Sequence, residues 1–214
     1  MQLLIANWKS HKTYTEALEW MRIFTSFDLH SLSQELEIVI CPPAPLLLAL
    51  VPYTANHAIT LGTQDISPAL PGAHTGEVTG ENLVGLVKYV IIGHSETRRD
   101  LNVDEETIEK KIEQAKRFSI RPIVCVNQTT KTDYDVDILA FEPKEAIGTH
   151  HPTDINTVAQ FKSRLEIKPD YFLYGGSVES ENAKEYLENN LVNGFLVGTN
   201  SLDPLNFYAI AQQF

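Results

Sequence analysis

Short apolar runs alternate with amphipathic segments along the whole chain. Eight runs are apolar almost throughout, which is typical of parallel strands covered on both faces; they span residues 3–7, 38–41, 58–62, 89–93, 121–126, 137–141, 171–175 and 194–198. Between them, helical periodicity and capping residues predict helices at residues 14–26, 44–51, 80–87, 104–118, 154–165, 180–190 and 203–212.

Eight strands joined by helical crossovers most simply close into a single-domain (β/α)8 barrel over residues 1–214. In such a barrel the active site is built from the loops that follow the carboxyl ends of the strands. A doubly wound open sheet is the competing architecture, but no glycine-rich dinucleotide turn follows the first strand.

The chain is short for this architecture. A (β/α)8 barrel typically needs about 250 residues, and this chain has 214. Between the fifth and sixth strands only residues 127–136 remain, and they carry no apolar stripe. We therefore predict that the fifth helix is absent or reduced to one turn, and that the sixth, near 154–165, is short. The outer faces of strands five and six should then expose an apolar patch, unless neighbouring helices lie across it.

Composition and charge restrict the classes of partner. The chain is 43% hydrophobic, 21% charged and carries a formal net charge of -11. This charge disfavours nucleic acids and anionic membranes as partners, and no apolar run is long enough to span a bilayer. The N-terminus lacks a basic leader, and Cys41 and Cys125 show no metal-ligand spacing. We expect a cytoplasmic protein without a metal.

Reactive side chains follow several of the predicted strands directly. Asn7 and Lys9 follow the first strand, His94 and Glu96 the fourth, and Glu142 the sixth, while the last two strands end in the glycine turns "YGGSV" and "VGTNS". Any one of these residues is more often a surface or turn residue. Together at one barrel mouth, a carboxylate, an imidazole and an ammonium suit proton transfer beside the carbonyl of a phosphorylated substrate.

Several segments also resemble one known family. The segments "ANWKSH", "GAHTGEVTGENL", "VKYVIIGHSETRR", "FEPKEAIGTH", "YGGSV" and "GFLVGTNSLDP" are similar, in order and position, to those of triosephosphate isomerases. The resemblance implies interconversion of dihydroxyacetone phosphate and glyceraldehyde 3-phosphate in glycolysis and gluconeogenesis, with no cofactor and no metal. It makes Glu142 the base and His94 the neutral electrophile, a pairing known for that family. Lys9 would supply positive charge beside Asn7, with Glu96 as a supporting carboxylate.

The same resemblance assigns a phosphate site and a lid. Backbone and side-chain donors for the phosphate would come from Gly148, Ser177, Gly198 and Thr199, the last standing where the family usually has glycine. The lid would contain Pro143, Lys144, Glu145, Ala146, Ile147, Gly148 and Thr149, and its Pro-Lys-Glu hinge is similar to that of archaeal-type members.

The resemblance further implies a homo-oligomer. The long loop of residues 64–79, rich in Pro and Gly, would insert Thr75 beside Asn7 and His94 of a neighbouring subunit, which makes a dimer. Archaeal-type members with similar truncations are tetramers, so a further contact over strands five and six would make a tetramer.

Two other functions are compatible with a phosphate-binding barrel. One is a different enzyme, such as a sugar-phosphate epimerase or an indole-pathway enzyme, which would share the last two glycine turns but would not need His94, Glu142 and Lys9 together. The other is a catalytically inactive barrel kept as an interaction or regulatory protein.

Overall fold

Parallel strands pair in chain order and close into a barrel. The computed structural model describes residues 1–55, 58–143 and 152–214. All eight predicted strands are present: β1 (Gln2–Asn7), β2 (Leu36–Cys41), β3 (Ile59–Thr63), β4 (Tyr89–Ile92), β5 (Arg121–Val126), β6 (Ile138–Phe141), β7 (Tyr171–Tyr174) and β8 (Gly194–Val197). The predicted (β/α)8 barrel is confirmed.

Successive strand residues face opposite sides of the barrel wall, because side chains alternate along a strand. In β1, Leu3 and Ile5 belong to the cluster that fills the barrel interior. Leu4 and Ala6 belong to the larger cluster between the strands and the outer helices. This two-sided burial explains why the strands are continuous apolar runs and not alternating ones.

The outer layer consists of helices whose ends agree with their capping residues. They are α1 (Tyr14–Phe24), α2 (Leu47–Leu50), α3 (Gly80–Leu83), α4 (Ser95–Asp100), α5 (Glu105–Arg117), α6 (Ile155–Ser163), α7 (Ser180–Leu187) and α8 (Pro204–Ala211), with short 3₁₀ segments at Leu29–Ser31, Ala44–Leu46, Val51–Tyr53, Glu188–Asn190 and Thr199–Leu202. At α1, Thr13 and Glu16 form a reciprocal capping box. None of the described helices is long and apolar enough to cross a membrane.

The connection between β5 and β6 contains no helix. Residues 127–137 are all described and form turns and irregular backbone. The first turn is set by Asn127, whose Oδ1 accepts the Thr129 N–H at 2.9 Å. The next helix, α6, has nine residues, so this sector of the barrel has little helical cover.

The expected apolar patch over strands five and six is nevertheless absent from this part of the structure, and that prediction was wrong. The outward side chains Val124, Val126, Leu139 and Phe141 are all buried. They share one cluster with Tyr134 and Val136 of the connection and with Phe161 of α6, whose ring stacks on Phe141 at a centroid distance of 3.8 Å. Two inward-facing side chains of this irregular connection and the ring of Phe161 therefore provide the cover that a helix would otherwise give.

The amino ends of the strands are closed by a charged cluster around Glu37. Its carboxylate accepts hydrogen bonds from Lys88 Nζ at 2.8 Å, from Tyr89 OH at 2.8 Å and from Thr60 Oγ1 at 2.9 Å. Arg121 donates to the Tyr89 hydroxyl at 3.2 Å and lies 5.4 Å from the ring centroid. We call these five residues the amino-end cluster.

Candidate active site

Glu142 lies directly after β6 and is almost fully buried, with 4% of its surface exposed. Its backbone N–H donates to Val126 O at 2.8 Å, which extends the β5–β6 pairing by one residue. Its carboxylate meets His94 Nε2 at 3.0 Å and accepts the Ser95 N–H at 3.2 Å. The predicted base and the predicted electrophile are therefore in direct contact.

His94 is fixed by the turn that joins β4 to α4. Gly93 before it has φ of 70°, a left-handed value that glycine adopts without strain. His94 is the N-cap of α4, and its Nδ1 accepts the Glu96 N–H at 3.2 Å. Since Nδ1 is an acceptor, the proton of the neutral ring lies on Nε2 and points to Glu142.

Opposing effects act on the protonation of His94. Burial lowers its pKa, but the charge of Glu142 and its hydrogen bond raise it more, so the pKa of His94 lies above its ordinary value. The charge of Glu142, and to a smaller extent that of Glu96, therefore favours the protonated ring, whereas burial favours the neutral one.

Lys9 follows β1 in a left-handed conformation, with φ of 52°. Its N–H donates to Asn7 Oδ1 at 3.0 Å, and its carbonyl accepts from Gln64 Nε2 at 2.8 Å. The ammonium Nζ lies 2.6 Å from Glu96 Oε1. Asn7, Gln64 and Glu96 therefore fix both ends of Lys9.

The glycine turns after β7 and β8 let backbone approach these side chains closely. A Cβ added at Gly175 would lie 3.0 Å from Glu142 Cγ, and one added at Gly198 would lie 3.3 Å from Lys9 Cε. Both are tighter than ordinary van der Waals contacts. A larger residue at either position would therefore push against a reactive side chain, so these glycines also leave room for Glu142 and Lys9.

A pocket that is open to solvent lies between the carboxyl ends of β1, β4, β6, β7 and β8. Its empty space, counted together with the solvent-filled mouth, is about 560 Å³. It is lined by Asn7, Lys9, His94, Glu142, Gly175, Gly176, Ser177, Val178, Leu196, Val197, Gly198, Thr199 and Asn200. Among these lining side chains Lys9 is the cation, and the 3₁₀ segment Thr199–Leu202 begins at the wall. Polar donors on one side and the Glu142–His94 pair on the other suit a small anionic substrate.

The remaining predicted residues have different positions. Glu96 does not line the pocket and acts on it through Lys9 and the His94 ring. Thr75 is exposed on the loop of residues 64–79 and does not line the pocket. Pro143 is buried, whereas Lys144, Glu145, Ala146, Ile147, Gly148 and Thr149 lie outside the described residues.

Sequence reasoning gave no role to several residues that support the site. Ser95 and Gln64 bond directly to Glu142 and Lys9. Burial, and then the charge and hydrogen bond of Glu142, raise the pKa of the Cys125 thiol well above its ordinary value. Arg98 was not distinguished from Arg99, although Arg98 turns inward and Arg99 pairs with its exposed neighbour Asp100.

Comparison with known proteins gives one consistent result. The family model described as "Triosephosphate isomerase" matches residues 2–135 and 128–214. The chain belongs to the triosephosphate isomerase family. It is therefore an isomerase of the triosephosphate isomerase type.

Individual triosephosphate isomerases align over nearly their whole length. The protein from Aquifex aeolicus (strain VF5) is 36% identical over 251 positions, covering 100% of this chain and 99% of that protein. The protein from Gloeothece citriformis (strain PCC 7424) is 32% identical, covering 97% of this chain and 97% of that protein. The protein from Granulibacter bethesdensis is 33% identical, covering 99% of this chain and 98% of that protein. The alignment with the Aquifex protein has 251 positions and this chain has 214 residues, so 251 − 214 = 37 of those positions are gaps in this chain.

The described part of the chain shows no metal centre. Within residues 1–55, 58–143 and 152–214, no group of three or more His, Cys, Asp or Glu side chains is placed to hold an ion.

Proposed function

We propose that this barrel interconverts dihydroxyacetone phosphate and D-glyceraldehyde 3-phosphate through an enediolate, with Glu142 as the base and His94 as the electrophile. The protein carries out an aldose–ketose isomerisation and serves glycolysis and gluconeogenesis. The observation that carries this proposal is the contact of 3.0 Å between Glu142 and the Nε2 of His94 inside a pocket that Lys9 also lines.

The proton transfers follow from the chemistry of these groups. Glu142 breaks its contact with His94 and takes a proton from the carbon beside the substrate carbonyl. This C–H group is acidic only when the negative charge that develops on the carbonyl oxygen is stabilised. The Nε2–H of His94 and the Lys9 ammonium stabilise that oxygen. His94 gives it the Nε2 proton and takes back the proton of the hydroxyl on the neighbouring carbon, so that the ring ends neutral. Glu142 then returns the proton to the adjacent carbon. Asn7 orients Lys9 by accepting its backbone N–H. Glu96 binds the Lys9 ammonium with its carboxylate and donates its backbone N–H to the His94 ring.

Ser177, Gly198 and Thr199 bind the substrate phosphate, together with Gly148 of the lid that Pro143 begins. The backbone N–H groups at the start of the Thr199–Leu202 segment support this assignment, since such groups suit anions. Local donors are needed because the net charge of -11 repels a phosphate at long range.

A coupled assay of the purified protein with glyceraldehyde 3-phosphate tests the proposal. We expect saturable isomerisation, and a parallel preparation of Glu142→Gln controls for isomerase carried over from the expression host. Turnover of a pentose phosphate in place of the triose would favour the epimerase alternative. No turnover of either substrate by folded protein would favour the interaction-protein alternative.

We further propose that the active unit is a homodimer in which the loop of residues 64–79 inserts Thr75 beside Asn7 and His94 of the partner. The exposure of residues 70–77 at the loop tip supports this role. Replacing residues 70–76 by a short Gly-Ser link should give monomers of low activity, whereas full activity in a verified monomer would refute it. Light scattering distinguishes dimer from tetramer, and the buried outer faces of β5 and β6 remove one reason for a tetramer.

The protein acts as a single barrel domain in the cytoplasm, without a cofactor and without nucleic-acid or membrane partners. Two free, buried cysteines, Cys41 and Cys125, support a reducing compartment.

A further inference from the structure

The helix-free connection of residues 127–137 is attached to α5 by side chains along one face of that helix. At the surface, Lys131 Nζ lies 2.5 Å from Glu109 Oε1, and Lys116 Nζ lies 2.7 Å from Asp135 Oδ2. Exposed pairs of this kind each contribute little to stability. Tyr134 differs from them, because it is 2% exposed and its hydroxyl reaches inward.

The hydroxyl of Tyr134 completes a ring of hydrogen bonds with Arg98 and Glu105. It donates to Glu105 Oε2 and accepts from Arg98 Nη2 at 3.2 Å. Arg98 Nη1 donates to Glu105 Oε1 at 2.8 Å, which closes the ring. Burial first, and then the hydrogen bond to Glu105, raise the pKa of Tyr134, so the hydroxyl keeps the proton that it donates.

The other donors of Arg98 hold the backbone on which the reactive residues stand. Its Nε donates to Gly93 O at 2.8 Å, and its Nη2 donates to Cys125 O at 3.3 Å. Gly93 precedes His94, and the Cys125 thiol interacts with Glu142. One guanidinium therefore connects the end of β4, which carries the electrophile, with the end of β5, which contacts the base.

We propose that Tyr134 is a positioning residue for isomerisation, whose hydroxyl holds Arg98 in the orientation that sets the spacing between His94 and Glu142. This inference rests on the proposed function. Tyr134 touches neither substrate nor pocket, so its effect passes through Arg98 and the backbone of Gly93 and Cys125.

The surroundings of Glu105 explain why the hydroxyl matters. The side chain of Glu105 is 43% exposed, whereas that of Arg98 is 14% exposed. Without Tyr134 OH, Glu105 turns toward water and draws Arg98 with it, which lengthens the bonds to Gly93 and Cys125. A displacement of about 1 Å in a reactive group can cost up to about 10²-fold in rate, so we expect a partial displacement to lower kcat about tenfold.

The test compares Tyr134→Phe with Lys116→Met, which breaks only an exposed ion pair of the same connection. We expect Tyr134→Phe to lower kcat about tenfold and to change KM less than about twofold, since substrate contacts remain. It should also lower the pKa of His94, because a looser contact with Glu142 leaves burial to dominate. Lys116→Met should change none of these three quantities.

The pKa of His94 is read from an NMR titration of the free enzyme. The protein has seven histidines, and the His94 resonance is the one missing from His94→Gln. This titration needs no turnover, so it tests the positioning role even if the proposed reaction is wrong, a failure that the wild-type assay would reveal separately.

A Tyr134→Phe protein that melts earlier but keeps wild-type kcat and His94 pKa would overturn the inference and leave Tyr134 as structural cover. If that variant does not fold, Glu105→Gln removes the same acceptor charge at a partly exposed site. We expect it to lower kcat and the pKa of His94 in the same direction, and wild-type values for both would equally overturn the inference.

Discussion

Each end of the barrel holds a glutamate whose carboxylate is in contact with a basic side chain, yet the two ends use it differently. At the amino end, Glu37 accepts hydrogen bonds from Lys88, Tyr89 and Thr60. At the carboxyl end, Glu142 meets His94 and one backbone N–H at the wall of an open pocket.

The two ends differ in whether the contacts of the glutamate can be replaced by contacts with a substrate. Around Glu37 three side-chain donors converge on one carboxylate, and these bonds have no need to rearrange. Around Glu142 the contact with His94 is one that a substrate can replace, and Lys9 lies within reach of the same space. In our proposal, the same scaffold therefore supports stability at one end and proton transfer at the other.

The largest expected effect comes from removing the base. Glu142→Gln keeps the shape of the side chain but cannot accept a proton, so kcat should fall by about 10² to 10⁴. Glu37→Gln is the matched change at the amino end and should leave kcat close to wild type. Steady-state kinetics of both variants, with circular dichroism as the folding control, check this contrast. Similar losses in the two would abolish the distinction between the ends.

Removing the cation at the carboxyl end should have the next largest effect. Lys9→Met keeps the length of the side chain but removes the charge, and kcat/KM should fall about 10²-fold, because a half-buried cation that stabilises a developing oxyanion is lost. Lys88→Met, its counterpart at the amino end, should change kcat/KM less than about twofold. If Lys9→Met retained wild-type kcat/KM, the developing charge would have to be stabilised elsewhere.

A smaller effect on stability is expected from Glu37→Gln. Burial opposes ionisation of Glu37, but the hydrogen bonds from Lys88, Tyr89 and Thr60 outweigh it and lower its pKa below the ordinary 4.5. Loss of these charge-assisted bonds should lower the free energy of unfolding by about 1–3 kcal/mol near neutral pH, as measured by urea denaturation.

The pH dependence of that difference follows from the lowered pKa. The contribution of Glu37 is complete above its pKa in the unfolded chain and is lost as pH falls through the lower pKa of the folded protein. The gap between wild type and Glu37→Gln should therefore narrow below the ordinary value of 4.5. A gap that stayed constant or widened in acid would show that the ionised carboxylate is not the stabilising form.

Much of the fold and the site could be predicted because local pattern and topology act together. Continuous apolar runs fix the strands, and parallel strands bring their carboxyl ends to one mouth. Asn7, His94 and Glu142 each stand at or just past a strand end, so chain position alone brought them together.

Features that depend on side chains from several elements were not predictable in this way. The sequence "SETRRD" of α4 has no apolar stripe, and the helix exists because His94 caps it and Arg98 anchors it. The connection at 127–137 was correctly expected to lack a helix, but its covering role was missed. Tyr134 and Val136 lie on alternate residues of a polar segment, a weak two-residue period that only packing makes meaningful.

The central claim is that the carboxylate of Glu142 removes a carbon-bound proton from the substrate. It is tested most directly by proton NMR of dihydroxyacetone phosphate in D₂O with wild type and with Glu142→Gln, at substrate concentrations that saturate both. The account predicts that wild type replaces the carbon-bound hydrogen beside the carbonyl with deuterium, whereas Glu142→Gln binds the substrate and leaves that hydrogen in place. Exchange by Glu142→Gln at the wild-type rate would contradict the account, because another group would then be the base.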